Sequence, residues 1–298
     1  MAETDQSRSA HHEASGEEDV RRPWAKIGCV FVAIAFVVAN ILAIGTVAIL
    51  RLRQNNALFA CQNNLRQLGM AVTSYQVDHS NFPPGTVAND KLPPDQRPSW
   101  LVSLLPYYVD MEAQSRKVAP QSTSFFGVYA RINLAQAWDA PGNREATAQL
   151  LRVFLCPNHP AFDEEPSPAP TYYVGIAGIG PNAAELPVTN PHCGFFGYDR
   201  RITPGDVPRG LSYTMIVSET SWQNGPWAQG GFSTIRGLDP NETPYTGRGR
   251  PFGGLHPGVV NVLFADGAVL QPPFADPAPP EQFAKWATLT AEPDEPMW

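Results

Sequence analysis

"LFACQNNLRQLGMAVTSYQVDHSNFPPG", Leu58 to Gly85, decides how this chain is put together. Apolar residues recur at Leu58, Cys61, Leu65, Leu68, Val72 and Tyr75, in steps of three and four. That spacing predicts one continuous stripe along a helix. Gln62, Asn63, Asn64, Arg66, Gln67 and Ser74 fill the remaining side, so the helix is expected to lie half-buried on a folded domain. "NFPPG" should end it, because two prolines and a glycine cannot continue helical hydrogen bonding.

Immediately upstream, "IGCVFVAIAFVVANILAIGTVAIL" (residues 27–50) carries no charged side chain. As a helix it spans about 36 Å, more than the roughly 30 Å hydrocarbon core of a bilayer. It is read as a transmembrane helix. A cleaved signal peptide fits less well, because the stretch is long and no A-x-A site follows. Cys29 sits at the start of the apolar run, which argues against a lipoprotein site. No proline separates this segment from the striped helix, so the two are expected to form one helix of about 50 residues. Asn40, near mid-span, is either tolerated in a single anchor or hydrogen-bonds a second helix. Residues 1–26 are polar and mixed in charge and read as a disordered tail that includes His11 and His12. Flanking charges do not settle orientation: Arg21, Arg22 and Lys26 stand at one end, Arg51 and Arg53 at the other.

The net charge is -7 and the soluble part has no Lys/Arg cluster, which excludes a nucleic-acid role. With 31 Pro and 24 Gly the chain should be rich in loops and turns. Short helices are expected at Ser99–Asp110, with Pro106 ending or kinking it, at Arg144–Leu151 and near Glu281–Thr288. Strands are expected in "VFLCP", "TYYVGIAG", "LSYTMIVSET" and "VVNVLFADGAVLQ". Helices followed by strands make residues 51–298 one α+β domain with an antiparallel sheet.

"LHPGVVNVLFADGAVL" (residues 255–270) holds a histidine and an aspartate that invite a catalytic reading. Asp-Gly, however, is a strong two-residue hairpin signal. A strand of about seven residues between the two groups would hold them about 23 Å apart. His256, Asp266 and Gly267 are therefore read as structural, turn-fixing residues. Asp110, Asp139, Asp199, Asp206 and Glu219 are scattered, without calcium-loop or zinc-ligand spacing. Cys156 and His159 in "CPNHP" read as a turn with a structural cysteine. No hydrolase or phosphate-loop signature occurs, so the sequence leads to no catalytic residue, metal or cofactor. Trp100, Trp138, Trp222 and Trp227, with Tyr107 and Tyr108, either line a sugar-binding surface or fill the core. Cys61, Cys156 and Cys193 follow the apolar segment. If two of them pair, the domain must face an oxidising compartment; the other reading is buried free thiols.

Five blocks in order resemble the bacterial prepilin-associated H-X9-DG domain family, a domain of unknown function also catalogued as solute-binding protein family 10. They are "CQNNLRQLGMAVTSYQVDHSNFPPG", "NLAQAWDAPGN", "FLCPNHP", "ITPGDVPRGLSYTMIVSET" and "HPGVVNVLFADGAV". The resemblance covers Arg51 to Leu270. It implies a type IV pilin or pseudopilin-like architecture: a long N-terminal helix, transmembrane in its first half and packed on an antiparallel sheet in its second. It implies that the N-terminus is cytoplasmic, that the domain is extracytoplasmic and that residues 27–50 sit in the inner membrane. It further implies a disulfide between Cys61 and Cys156, with Cys193 as the competing partner. The opening departs from the family. Family members cut after a Gly and continue into "F-T-L-x-E-L", but here Gly28 precedes "CVFVAIAF" and the fifth residue is Ala33, not Glu. The leader is therefore expected to stay on and the helix to be a permanent anchor.

The functional expectation is a non-enzymatic, membrane-anchored, pseudopilin-like cell-envelope protein. Its role would be structural or interactive, in secretion or surface assembly, with pilin-like or secretion proteins as partners. The alternative is a membrane-tethered solute- or glycan-binding module. An enzyme would need His256 or His159 to meet a carboxylate in a pocket.

Overall fold

A computed structural model describes residues 22–108, 124–158, 168–256, 258–270 and 278–290. The tail histidines, Asp110 and His159 lie outside the described residues. Helix α1 spans Arg22–His79 in 58 residues. It is followed by α2 (Trp100–Leu104), α3 (Phe125–Tyr129) and α4 (Arg144–Thr147). Then come β1 (Tyr173–Ile179), β2 (Met215–Glu219), β3 (Ile235–Leu238), β4 (Val262–Phe264) and β5 (Val269–Leu270), and finally α5 (Pro280–Trp286). The chain divides into two units, residues 1–55 and 56–298.

In the first unit, α1 is long and apolar enough to cross a membrane, and its most apolar stretch is not buried. Phe31, Ile34, Phe36, Ile41 and Ile44 all stand exposed. A helix that is apolar all round and uncovered by protein matches a lipid solvent. Asn40 turns its amide back to the Phe36 carbonyl at 2.7 Å, so its polarity is absorbed within its own helix.

In the second unit, the stripe is the buried face of α1. Cys61, Leu65, Leu68 and Val72 are at most 1% exposed, Ala71 joins them, and Leu58 and Tyr75 are half-buried at the two ends. Asn63 and Arg66 face solvent. The helix stops one step earlier than its prolines require. Ser80 adopts φ 60°, a left-handed turn, and Phe82 N–H donates to the Ile202 carbonyl at 2.7 Å.

The five strands lie in the order β3-β1-β2-β4-β5. The β1–β2, β2–β4 and β4–β5 pairs are antiparallel, whereas β1–β3 is parallel, so the sheet is mixed. Strand β3 was not legible in the sequence, because Arg236 and Gly237 interrupt its apolar pattern. The sheet is covered on both faces. Tyr173, Ala177, Val217 and Leu263 pack toward α1, and Val174, Ile176, Val262 and Phe264 pack toward Phe252 and the α5 residues Phe283 and Ala287. Two buried faces explain why β4 reads as a continuous apolar run rather than an alternating one.

Two expected elements differ. "VFLCP" is not a strand but a 3-10 turn, Arg152–Phe154, leading into extended backbone. Its carbonyls are taken elsewhere: Phe154 O accepts from Tyr172 N–H at 2.9 Å, and Leu155 O accepts from the Asn64 amide of α1 at 3.0 Å. The predicted eight-residue helix from Arg144 is only four residues long. Asn143 does not cap it with its side chain. Instead the amide ties the preceding loop, bonding Asn133 N, Asn133 O and Ala137 O at 2.7–3.0 Å.

Candidate functional site

The segment Leu255–Leu270 meets α1 at two places. At its C-terminal end is the β4–β5 turn. Gly267 has φ +88°, Asp266 Oδ1 accepts from Ala268 N–H at 2.9 Å, and Gly267 N–H donates to Phe264 O at 2.9 Å. The turn lies directly on α1: a Cβ added at Gly69 would stand 2.8 Å from Leu263 Cδ1 and 3.3 Å from Gly267 backbone atoms. Two glycines allow that approach. Asp266 and Gly267 thus sit in the β4–β5 turn.

His256 is expected from the sequence to fix a turn; its side chain lies among other side chains. Its imidazole enters the second meeting place, eight residues earlier on α1. Nε2 is 3.2 Å from Cys61 Sγ and 3.5 Å from Cys156 Sγ, and the two sulfurs are 3.2 Å apart. Both cysteines are free thiols, and so is Cys193, whose Sγ instead faces the Gly194 carbonyl. Glu219, at the end of β2, places Oε1 3.9 Å from His256 Nε2. His256 and Asp266 are not brought together.

The surroundings hold these groups in place. Asn261, just before β4, donates its side-chain amide (3.0 Å) and backbone N–H (3.3 Å) to Glu219 Oε2. Gln62 of α1 donates to Asn261 Oδ1 at 3.2 Å. Asn158 faces His256 Nδ1 at 3.3 Å. Tyr173 donates its hydroxyl to the Cys61 carbonyl and accepts from Asn64. Gly254 leaves the carboxylate its room, since a Cβ there would meet Glu219 Oε2 at 2.6 Å.

Exposures of 0% for Cys61, 4% for Cys156, 4% for His256 and 2% for Glu219 make this a closed cluster. The electrostatics follow from that closure. Cys61 donates to Cys156, so the Cys61 thiol is pushed far up and the Cys156 thiol is lowered, with His256 lowering it further. Burial works against a charge on His256, but Cys156 and the Glu219 carboxyl outweigh it and the imidazole is raised. Burial raises Glu219 to about 7, against the pull of His256 and Asn261. Oε1 of Glu219 has no hydrogen-bond partner among the described residues.

Linear spacing missed this cluster. Its members are separated by 95 residues between the cysteines and 195 between Cys61 and His256. The usable signal was chemical: two cysteines and a histidine, each in a different block of the resemblance. Glu219 looked like one scattered acid among several.

Of the aromatic residues, Trp100 and Trp227 are wholly buried and donate their indole N–H to the Thr234 and Gln149 carbonyls. Tyr108 is also buried, Trp138 packs on the core's edge, and Trp222 faces Arg236 and Phe232. They do not form one exposed platform.

No curated protein and no solved structure matches the chain. Cys61, Cys156 and Glu219 fall inside a matching family profile, and His256 lies beyond its end. That profile, described as SBP_bac_10, protein of unknown function (DUF1559), matches residues 59–231, over half of the chain, and the chain therefore belongs to this family.

Proposed function

We propose that the chain is a non-enzymatic, pseudopilin-like protein of the cell envelope. In this reading residues 27–50 anchor it in the inner membrane and the domain lies outside the cytoplasm. It acts structurally or through contacts with other envelope proteins, around secretion or surface assembly. The observation that carries this reading is the division of α1. Its first half is apolar and uncovered, while its second half is seated on a sheet by a stripe that runs from Cys61 to Val72.

His256 does meet a carboxylate, the condition set for an enzyme. Among the described residues the meeting place is enclosed, with all four side chains no more than 4% exposed, which supports a structural role for it. The binding-module alternative loses its aromatic basis with the burial of Trp100 and Trp227. An open groove of about 480 Å³ bordered by Arg97, Tyr198, Asp199 and Arg201 is one surface left to it.

Crosslinking in native membranes, with identification of the crosslinked neighbours, tests the role. Neighbours from a secretion or pilus machine support it; a chain that crosslinks to no envelope protein refutes it. Protease shaving of intact spheroplasts tests the orientation. Digestion of the domain is expected, and its protection until lysis would overturn that part.

A further inference from the structure

We infer that Cys61, Cys156, His256 and Glu219 form a closed binding site for one zinc-class divalent ion. This goes beyond the proposed role and stands whether or not the chain joins an assembly. Three soft or borderline donors converge, with Sγ, Sγ and Nε2 separated by 3.2, 3.2 and 3.5 Å. A fourth donor is supplied independently. Glu219 is 2% exposed, Oε2 is satisfied by Asn261, and Oε1 has no partner among the described residues while standing 3.9 Å from the same imidazole nitrogen. A buried carboxylate oxygen left without a donor costs about 1–3 kcal/mol, and a cation beside it removes that cost.

The dimensions of the Cys61, Cys156 and His256 set fit with small adjustments. In a tetrahedral zinc site, with Zn–S about 2.3 Å and Zn–N about 2.0 Å, the sulfurs lie about 3.8 Å apart and each sulfur about 3.5 Å from the nitrogen. The observed sulfur separation of 3.2 Å must open by about half an ångström. Glu219 stands further out: its Oε1 to His256 Nε2 distance of 3.9 Å must close by about as much, and because it lies outside the set of donors within 4.8 Å of one another, its side chain must also swing toward the sulfurs. Two thiolates disfavour magnesium and calcium, which want oxygen cages. Four protein donors with no open position mark a structural site. The outer shell is also in place: Asn158 sits at His256 Nδ1, and an amide turned oxygen-first would fix the ring with Nε2 toward the ion. Binding displaces the thiol protons to solvent and involves no change of oxidation state.

A Cys61–Cys156 disulfide is the competing outcome. It would require the sulfurs to close from 3.2 Å to about 2.05 Å, and it would leave Glu219 Oε1 without a partner. It accounts for two of the four groups, whereas an ion accounts for all of them.

The test uses the full chain, extracted in detergent without chelator or reductant. About one zinc ion per chain is expected by elemental analysis, with Cys61 and Cys156 alkylated only after chelation. Cobalt substitution should give the visible spectrum of a tetrahedral thiolate site. Glu219→Gln should weaken zinc binding by about 100-fold and Cys156→Ser should abolish it, while His256→Cys keeps a four-donor set and retains the metal. A Cys61–Cys156 disulfide without zinc overturns the inference. So do free thiols that take up no added zinc, and so does zinc content unchanged in both Glu219→Gln and Cys156→Ser.

Discussion

Replacing Gly69 by alanine sets helix propensity against packing. Gly69 lies inside α1, where Ala is favoured over Gly by about 1 kcal/mol. The added methyl would stand 2.8 Å from Leu263 Cδ1 and 3.3 Å from the Gly267 backbone. Overpacking of this kind costs about 1–3 kcal/mol, and Gly267 has little room to yield because its turn is pinned by Asp266. The net expectation for Gly69→Ala is a loss of about 1 kcal/mol, or about 2–4 °C in Tm for a domain of this size. Leu263→Ala alone opens a cavity in the core and should cost about 3 kcal/mol. In the double variant the methyl introduced by Gly69→Ala enters that cavity, so the cost should fall short of the sum by about 1 kcal/mol. Thermal unfolding of the full chain in detergent, followed by fluorescence of the buried Trp100 and Trp227, reads all three. If Gly69→Ala raises Tm and the two changes add, the close approach of helix and turn is refuted.

Asn143→Ala removes three bonds from a side chain that is 0% exposed and should cost about 3 kcal/mol in the same assay; a cost under about 1 kcal/mol would show that the loop does not depend on it. Arg200 fans its guanidinium onto the carbonyls of Ala183, Leu186, Gly194 and Phe196, and a lysine cannot reproduce that fork. Arg200→Lys should lose about 3 kcal/mol, and an unchanged Tm would contradict this. The full chain should remain in the membrane pellet after an alkaline carbonate wash, while a chain starting at Asn56 should not; release of the full chain would remove the anchor from the account.

What was legible in the sequence was periodic or local. The α1 stripe, its apolar first half and the Asp-Gly turn each announce themselves within a few residues, and each lies where its pattern puts it. Strand β3 was hidden because Arg236 is buried in mid-strand, its charge spread over Thr220, Pro251 and Gln223 and its plane set against Phe232, an arrangement that no strand pattern encodes. "VFLCP" carries strand-forming residues, but tertiary contacts with Asn64 and Tyr172 claim its carbonyls. The cluster was hidden for a related reason. Its three close donors come from α1, the turn after Phe154 and the loop before β4, with Glu219 beside them at the end of β2, and the sheet's strand order brings these segments together. The pairing of His256 with Asp266-Gly267 gains a physical sense from this. The two ends of one segment grip the same helix, at Cys61 and at Gly69, about 12 Å apart along its axis.

X-ray absorption at the zinc edge of the full chain, extracted without chelator, reads the metal's ligands themselves. A four-coordinate ion is expected, with two sulfurs at about 2.3 Å and two lighter donors at about 2.0–2.1 Å. An absent edge, or a zinc shell without sulfur, would contradict it.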